Sequence, residues 1–312
     1  MEHVERAGIH SGDSVAVLPP VRASQAVLNR VVEITTTLCK SLGVRGLLNV
    51  QFVAVGDEVY VIEANPRASR TVPFIIKATG APMVEMAMAA AVHGKLLPEW
   101  PQGLWPPTRH FAVKMPVFSF GKLDMVDAAL GPEMKSTGEV MGIDHDFATA
   151  LYKALLGGGF RLPAGGKVLV TIADQDKEEA LPYLEELSRL GYRLYATTGT
   201  LALLSTVGIP ATPVYKLGER RPHLVDLIRQ GLFNLVINTI SVGGHREREG
   251  FLIRRATVER GIMCFTSLDT LGAALEALRT RSRQAFRVNS LNEWVSSYQR
   301  DFGSRVRQEE MR

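Results

Sequence analysis

The stretch "YVIEANPRASRTVPF" (60–74) closes an apolar run on Glu63, Asn65 and Arg67. A carboxylate and a carboxamide two positions apart share one face of a strand, because side chains alternate between faces. With further amide oxygens beside them they form the donor set that a hard cation such as Mg²⁺ prefers, phosphate oxygens completing its octahedron. An arginine just beyond can hold a transferring phosphoryl group through bidentate hydrogen bonds. The competing reading is a solvated sheet face followed by a Pro-Arg turn.

A hairpin must position these groups. "LLNVQFVAV" (47–55) and "VYVIEANP" (59–66) flank Gly56-Asp57-Glu58, the pattern of two strands joined by a short glycine-containing loop. Pairing Val55 with Val59 sets Gln51 opposite Glu63 and Asn49 opposite Asn65. The four polar side chains then share one face, while Val50, Phe52, Ile62 and Ala64 form the other, expected to be a core. Upstream, Ser24 stands as an N-cap before a stripe of Val27, Leu28, Val31, Val32 and Leu38 that ends near Gly43. Downstream, "PFIIKATG" and "APMVEMAMAAAVHGK" read as helices closed by Gly80 and Gly94. A Pro/Trp-rich connector (97–107), a strand in "HFAVKMPVFSF" and the turn-rich "LGPEMKSTGEVMG" follow.

"LLGGGFRLPAGG" (155–166), with its five glycines and proline, reads as a linker. Beyond it "KVLVTIA", "RLYATT", "ATPVY", "LVINT" and "MCFTS" alternate with helical patterns, which argues a parallel sheet covered on both faces. The fold class is α/β: an antiparallel hairpin with helices over 1–158, a doubly wound parallel domain over 166–281, and a basic helical tail over 282–312. In the second domain Thr197, Thr198, Gly199 and Thr200 lead from a strand into a helix, where backbone N–H groups and small hydroxyls can hold an anion. Lys177, Lys216, Asn238 and Thr239 follow other strands and converge on the same sheet edge. A nucleotide monophosphate is the natural ligand there; ordinary loop polarity is the alternative.

At 312 residues the chain has room for two domains, and 46% hydrophobic with 22% charged residues is ordinary globular composition. The N-terminus lacks an apolar signal region, and no run approaches the roughly 18 apolar residues of a membrane span. A soluble, cytoplasmic chain without a membrane partner is expected. Cys39 and Cys264 read as reduced thiols. From Arg279 onward eight Lys and Arg stand against four Asp and Glu, which accounts for the whole net charge of +4. Without a basic stripe elsewhere, the tail reads as a solvated terminal helix, and nucleic acid is not expected as a partner.

"MEHVERAGIHSGDS", "GLLNVQF" and "VIEANPRASRTVPFIIKATG" resemble the second synthetase half of the carbamoyl phosphate synthetase large subunit, an ATP-grasp enzyme. "LGPEMKSTGEVMG" resembles a later segment of the same family, and residues after 166 resemble its methylglyoxal-synthase-like regulatory domain. The resemblance implies a partial ATP-grasp domain over 1–158, with ATP and Mg²⁺ or Mn²⁺ as cofactors. It implies that Gln51, Glu63 and Asn65 bind the metal, that Arg67 assists phosphoryl transfer, and that Gly8, Ile9, His10 and Ser11 line the nucleotide with Gln51 and Glu63. Carbamate would be the acceptor and carbamoyl phosphate the product. In the family an N-terminal lobe and a Gly-rich lid lie upstream of the residue that is Met1 here. The remainder of the large subunit and a glutaminase small subunit are therefore expected partners, and the chain alone is expected to turn over little.

In the regulatory domain the resemblance implies that Thr171, Lys177, Thr197, Thr200, Lys216 and Asn238 contact an effector such as UMP or IMP. Ile240 stands where the bacterial pattern has a further threonine, and "ISVGGHREREG" offers only Glu247 and Glu249 where methylglyoxal synthase has a catalytic aspartate. Glu5 and Asp13 match acids that bind ornithine in some members, but Met115 and Phe265 replace two others, so ornithine control is not expected. A different class of function competes: a non-catalytic effector-binding polypeptide acting in trans on a separate synthetase. Another ATP-grasp ligase, such as a carboxylase, shares Glu-x-Asn-x-Arg but leaves residues 167–280 unexplained.

Overall fold

A computed structural model describes residues 1–95, 100, 103–122, 126–161, 163, 165–240, 244–281 and 288–296. The chain opens on two short strands, β1 (Glu2–His3) and β2 (Ala16–Leu18), and a helix, α1 (Gln25–Leu42). Ser24 caps α1 by accepting from Val27 N at 3.2 Å, and Gly43 closes it in the left-handed region at φ 60°. Ser24 also donates to Asp57 Oδ1 at 2.7 Å, which ties the start of α1 to the turn of the hairpin that follows.

That hairpin is β3 (Asn49–Val55) and β4 (Glu58–Asn65). Val55 pairs with Glu58 rather than Val59, so the connection is two residues, Gly56 and Asp57, not three. An irregularity between Gln51 and Phe52 then takes up one residue of β4, and beyond it Gln51 faces Glu63 and Asn49 faces Asn65 as the pattern predicts. The apolar face is not the expected core: no hairpin residue is buried, and Ile62 is 56% exposed. The hairpin stands as a separate two-stranded sheet that packs chiefly on α1 among the described residues.

Helices α2 (Thr71–Thr79) and α3 (Met83–His93) follow, then strands β5 (Phe111–Phe118) and β6 (Ser136–Asp144) and helix α4 (Phe147–Gly157). They complete an antiparallel sheet in the order β1-β2-β5-β6. Of the stretch read as turn-rich, 130–135 is irregular, but from Ser136 onward it belongs to a nine-residue strand. One of its glycines serves packing: a Cβ on Gly142 would lie 2.0 Å from Ala150 O and 2.4 Å from Ala154 N, so only glycine lets α4 lie directly on the strand.

The second half alternates β7 (Gly166–Thr171), α5 (Lys177–Arg189), β8 (Tyr192–Ala196), α6 (Thr198–Thr206), β9 (Ala211–Pro213), α7 (Leu224–Arg229), β10 (Leu235–Asn238), α8 (Gly244–Glu259), β11 (Met263–Phe265) and α9 (Leu268–Arg281). All five strands are parallel, in the order β11-β10-β7-β8-β9. Val168, Leu169 and Val170 are fully buried, as expected of a central strand covered on both faces. One face packs on α5 and α9, the other on α7 and α8. Val113 and Met115 of β5 and Leu151 of α4 join Val168, Leu184 and Leu275 in one continuous apolar core, so the two halves are welded through α4 and α9.

Of the tail, residues 282–287 and 297–312 lie outside the described residues, as do 97–99, 101 and 102 of the connector. Over 291–296 the chain forms a short helix. It is not the solvated element expected: Trp294 is 6% exposed, packed with Phe74, Ala78, Ala112 and Ile143 and against the rings of His110 and His145. A single tryptophan in a basic, polar segment carries too little periodicity to announce a docked face. No single helix among the described residues is long and apolar enough to cross a membrane. Both cysteines are free thiols.

Candidate functional site

The polar hairpin face is built from backbone register upward. Gln51 Nε2 donates to Ser11 Oγ at 2.6 Å, and Asn65 Nδ2 donates to Glu63 Oε1 at 2.9 Å. Because each amide spends its nitrogen on a neighbour, Gln51 Oε1, Asn65 Oδ1 and Glu63 Oε2 keep no hydrogen-bond partner among the described residues. One carboxylate oxygen and two carboxamide oxygens on one face suit an oxygen-seeking divalent cation that carries phosphate or water on its other positions. Among the described residues no group of three or more His, Cys, Asp or Glu gathers as a metal cage, so any cation here depends on amide oxygens and on its own ligands. Asn49, opposite Asn65, donates its Nδ2 to Ser69 Oγ at 3.4 Å.

Arg67 is exposed. Its amide bonds Asn65 O at 2.8 Å, and its guanidinium bonds only the adjacent Ala68 O, at 3.0 Å. It lines a shallow groove with Leu47, Pro66 and Met88. The guanidinium is thus a cation held near the hairpin end without an acidic partner among the described residues.

The segment from Gly8 to Ser11 comes to the same face through Ser11. Gly8 adopts φ 114°, which favours glycine. His10 N donates to Gly131 O at 2.8 Å, while its ring Nδ1 accepts from Gly12 N at 3.0 Å. Ile9 is half-buried beside it.

Lys114, which sequence reasoning did not single out as a site group, holds this turn in place together with Asp13. Lys114, 1% exposed in the middle of β5, donates Nζ to Ser11 O at 2.9 Å. Burial pushes its pKa down, against the charges of Glu139, Glu5 and Asp13. Asp13, fully buried, accepts the amides of Lys135 at 2.7 Å and Ser136 at 2.9 Å. Arg70 donates to Ser136 Oγ at 3.3 Å. The one available signal was a lysine inside the apolar run "HFAVKMPVF", since a lysine is almost never fully buried unless it is paired.

In the second half the chain order of strands reverses between β7 and β10, the point where open parallel sheets bind ligands at their carboxyl ends. Thr171 ends β7 and Asn238 ends β10; they pair in register, and Asn238 Nδ2 donates to Thr171 Oγ1 at 2.6 Å. Thr197 stands at the N-cap of α6 but makes no capping bond with its side chain. Thr200 Oγ1 accepts from Ile172 N at 3.2 Å. The Lys177 ammonium lies 3.6 Å from where a Cβ on Gly199 would be, which sets it over the first turn of α6, and it is paired with Asp174 at 2.7 Å. Thr171, Lys177, Thr197, Thr200 and Asn238 thus gather at one edge. Lys216 follows β9, half-buried, with its amide on Glu219. Thr239, fixed by Ala173 N at 2.7 Å, adds a hydroxyl, and Ile240 next to it is half-buried.

Glu5 and Asp13, the acids singled out for ornithine, are both engaged internally, Glu5 with Val15 N at 2.8 Å and Thr270 Oγ1 at 2.9 Å. Met115 and Phe265 are buried in the core.

Two family models match parts of the chain. Residues 1–99 match the family model described as carbamoyl-phosphate synthase L chain, ATP binding domain. Residues 179–266 match the family model described as MGS-like domain. The first match spans the Gly8–Ser11 turn and Gln51 through Arg67. The second spans Thr197, Thr200, Lys216 and Asn238, while Thr171 and Lys177 precede it.

Proposed function

We propose that this chain is part of a large chain of the carbamoyl-phosphate synthase type with an MGS-like domain, and that it forms part of the site that phosphorylates carbamate to carbamoyl phosphate with ATP. The observation that carries the reading is the set of three uncommitted oxygens on Gln51, Glu63 and Asn65, beside the Ser11 turn. These three residues would hold Mg²⁺ or Mn²⁺. Such a cation supplies charge neutralisation and fixed positions for the triphosphate oxygens.

The chain's own residues do the rest by positioning. Lys114 and Asp13 fix the turn of Gly8, Ile9, His10 and Ser11 against which the nucleotide lies. The Ser11 hydroxyl orients the Gln51 amide. Arg67 stabilises the charge that spreads over the γ-phosphoryl oxygens as a carbamate oxygen bonds to phosphorus and the bond to ADP breaks. The remainder of the large subunit and a glutaminase subunit complete the enzyme, in the cytoplasm, for arginine and pyrimidine synthesis. At the other site, the edge of Thr171, Lys177, Thr197, Thr200, Lys216 and Asn238 receives the phosphate of a UMP- or IMP-like effector.

A second reading, an effector-binding polypeptide acting in trans without catalysis, is favoured by the exposure of Glu63 and Arg67. ATP formation from MgADP and carbamoyl phosphate separates the two. It is measured for the chain alone and for the chain with the remainder of the large subunit. The expected result is turnover in the assembly that Glu63→Gln removes. Turnover of the assembly that is indifferent to Glu63→Gln would overturn the catalytic reading and leave the regulatory one.

A further inference from the structure

Arg254 of α8 joins the strand-end edge of the second half to the first half. It is 2% exposed, with Nη1 donating to Asn238 Oδ1 at 2.8 Å. Its other face grips Asp127 in a bidentate pair, Nε to Oδ1 at 2.6 Å and Nη2 to Oδ2 at 2.5 Å. Asn238 is the same residue whose Nδ2 holds Thr171 Oγ1 at the switch point of the sheet. Asp127 belongs to the segment that leads into β6. Its Oδ1 accepts Ala129 N at 2.9 Å, and Lys135 Nζ clamps its carbonyl at 3.1 Å and that of Ala129 at 2.5 Å. The same segment donates the Lys135 and Ser136 amides to Asp13 and accepts His10 N on Gly131 O. Hydrogen bonds therefore run without a break from Thr171 to the turn that carries His10 and Ser11.

Two observations separate this link from ordinary packing. Only the arginine is taken out of water, Asp127 keeping 29% of its side chain exposed; burying a charge to make such a pair stabilises little, since apolar residues of similar volume often do as well, whereas it fixes relative position. Helix α8 also carries a glycine at its expense: a Cβ on Gly250 would lie 2.8 Å from Arg254 Nη1. Glycine inside a helix is unfavourable relative to alanine, and here it leaves the space in which the guanidinium lies between Asn238 and Asp127.

We propose that Arg254 is the positioning residue through which an anion bound at the Thr171–Asn238 edge adjusts the 126–136 segment, and through it Asp13 and the His10–Ser11 turn. The proposal rests on the reading of that edge as a nucleotide-monophosphate site. A phosphate oxygen competes with Thr171 Oγ1 for the Asn238 amide hydrogens. When the amide turns toward the ligand, its oxygen moves relative to Nη1, and the guanidinium, held on its far side by a carboxylate, carries Asp127 with it.

The test is hydrogen exchange of the whole 312-residue chain with and without UMP, inorganic phosphate serving as a second probe. The amides followed are His10, Lys135 and Ser136, all remote from the ligand. In the native chain UMP is expected to change their exchange rates by about fivefold or more, the scale of an ordinary coupling between sites. Asp127→Asn, which keeps the ligand edge intact, should bind UMP within about threefold of the native chain and lose most of that response. Gly250→Ala keeps both charges and displaces the guanidinium, so it should blunt the response as well, and it decides the matter if Asp127→Asn does not fold. UMP binding with an undiminished response in both variants overturns the role of Arg254 alone. If neither UMP nor phosphate binds the native chain, the reading of the edge itself fails and takes this inference with it.

Discussion

Gln51 and Glu63 face each other across the hairpin because β4 yields one extra residue between them and the turn. With the two-residue turn and a regular ladder, Gln51 would face Ile62 and Asn49 would face Ala64, and Glu63 would sit on the opposite side of the sheet. The bulge thus decides that a carboxylate joins two carboxamides on one face.

Glu63→Gln removes the carboxylate from the Gln51–Glu63–Asn65 set while keeping its shape. Glu63 is exposed, so unfolding free energy should move by less than about 0.5 kcal/mol. Mg²⁺-dependent binding of ADP by the complete assembly should weaken about tenfold or more, since a charged oxygen is lost. Calorimetric titration with and without Mg²⁺ checks it, and equal affinities in the two proteins would remove Glu63 from the cation site.

Lys114→Met keeps the volume of a buried side chain and deletes the donor of Ser11 O and Gly12 O. Asp13 and Glu5 then lose a nearby cation in a dry interior. The expected loss is about 3 kcal/mol in urea unfolding, accompanied by weaker nucleotide binding because the turn is no longer fixed. A variant as stable as the native chain would show that the ammonium is dispensable.

Burial pushes the Glu5 carboxyl up to about 7, over the opposing hydrogen bonds from Thr270 and Val15. The folded state therefore holds this proton more tightly than the unfolded one. Its contribution is complete below the ordinary value of 4.5 and is lost as pH rises through about 7. At about 1.4 kcal/mol per pH unit the loss is of order 3 kcal/mol. His3, which burial and the Lys114 charge push down to about 4, works in the opposite sense, losing stability as pH falls from 6.5. Comparison with Glu5→Gln isolates the carboxyl: the variant should match the native chain near pH 5 and exceed it at pH 8. Parallel stability curves across that range would contradict the assignment.

Trp294→Ala should cost about 3 to 5 kcal/mol, the range for truncating a large buried aromatic. Amide exchange over 288–296 should accelerate, because Trp294 is the buried contact of this stretch with α2, β5 and β6. An unchanged melting temperature would mean that the segment contributes nothing to the fold.

Lys216→Ala removes one cation from the proposed effector edge, and UMP binding should weaken about tenfold, as for a charge-assisted contact. Isothermal titration of the whole chain reads this directly. Unaltered affinity would place the phosphate elsewhere along the edge.

Much of the molecule was legible because local chemistry dictates it. The alternation of Asn49, Gln51, Glu63 and Asn65, the Ser24 cap, the Gly43, Gly80 and Gly94 stops and the apolar run of β7 are properties of short segments, and the structure has them where the residues put them. Only tertiary structure could decide the rest. Strand β6 reads as a turn partly through Gly142, a glycine required because α4 presses on it, a contact between separate elements. The exposure of the hairpin's apolar face depends on what packs over it, which periodicity cannot say. Lys114 reads as an error in an apolar strand until its ammonium meets Ser11 O. Arg254 reads as one of two adjacent arginines in a helix, Arg254 and Arg255, until Asp127, far along the chain, comes to lie beside it. Residue type and spacing fix what a group can do; long-range packing fixes which groups are brought within reach to do it.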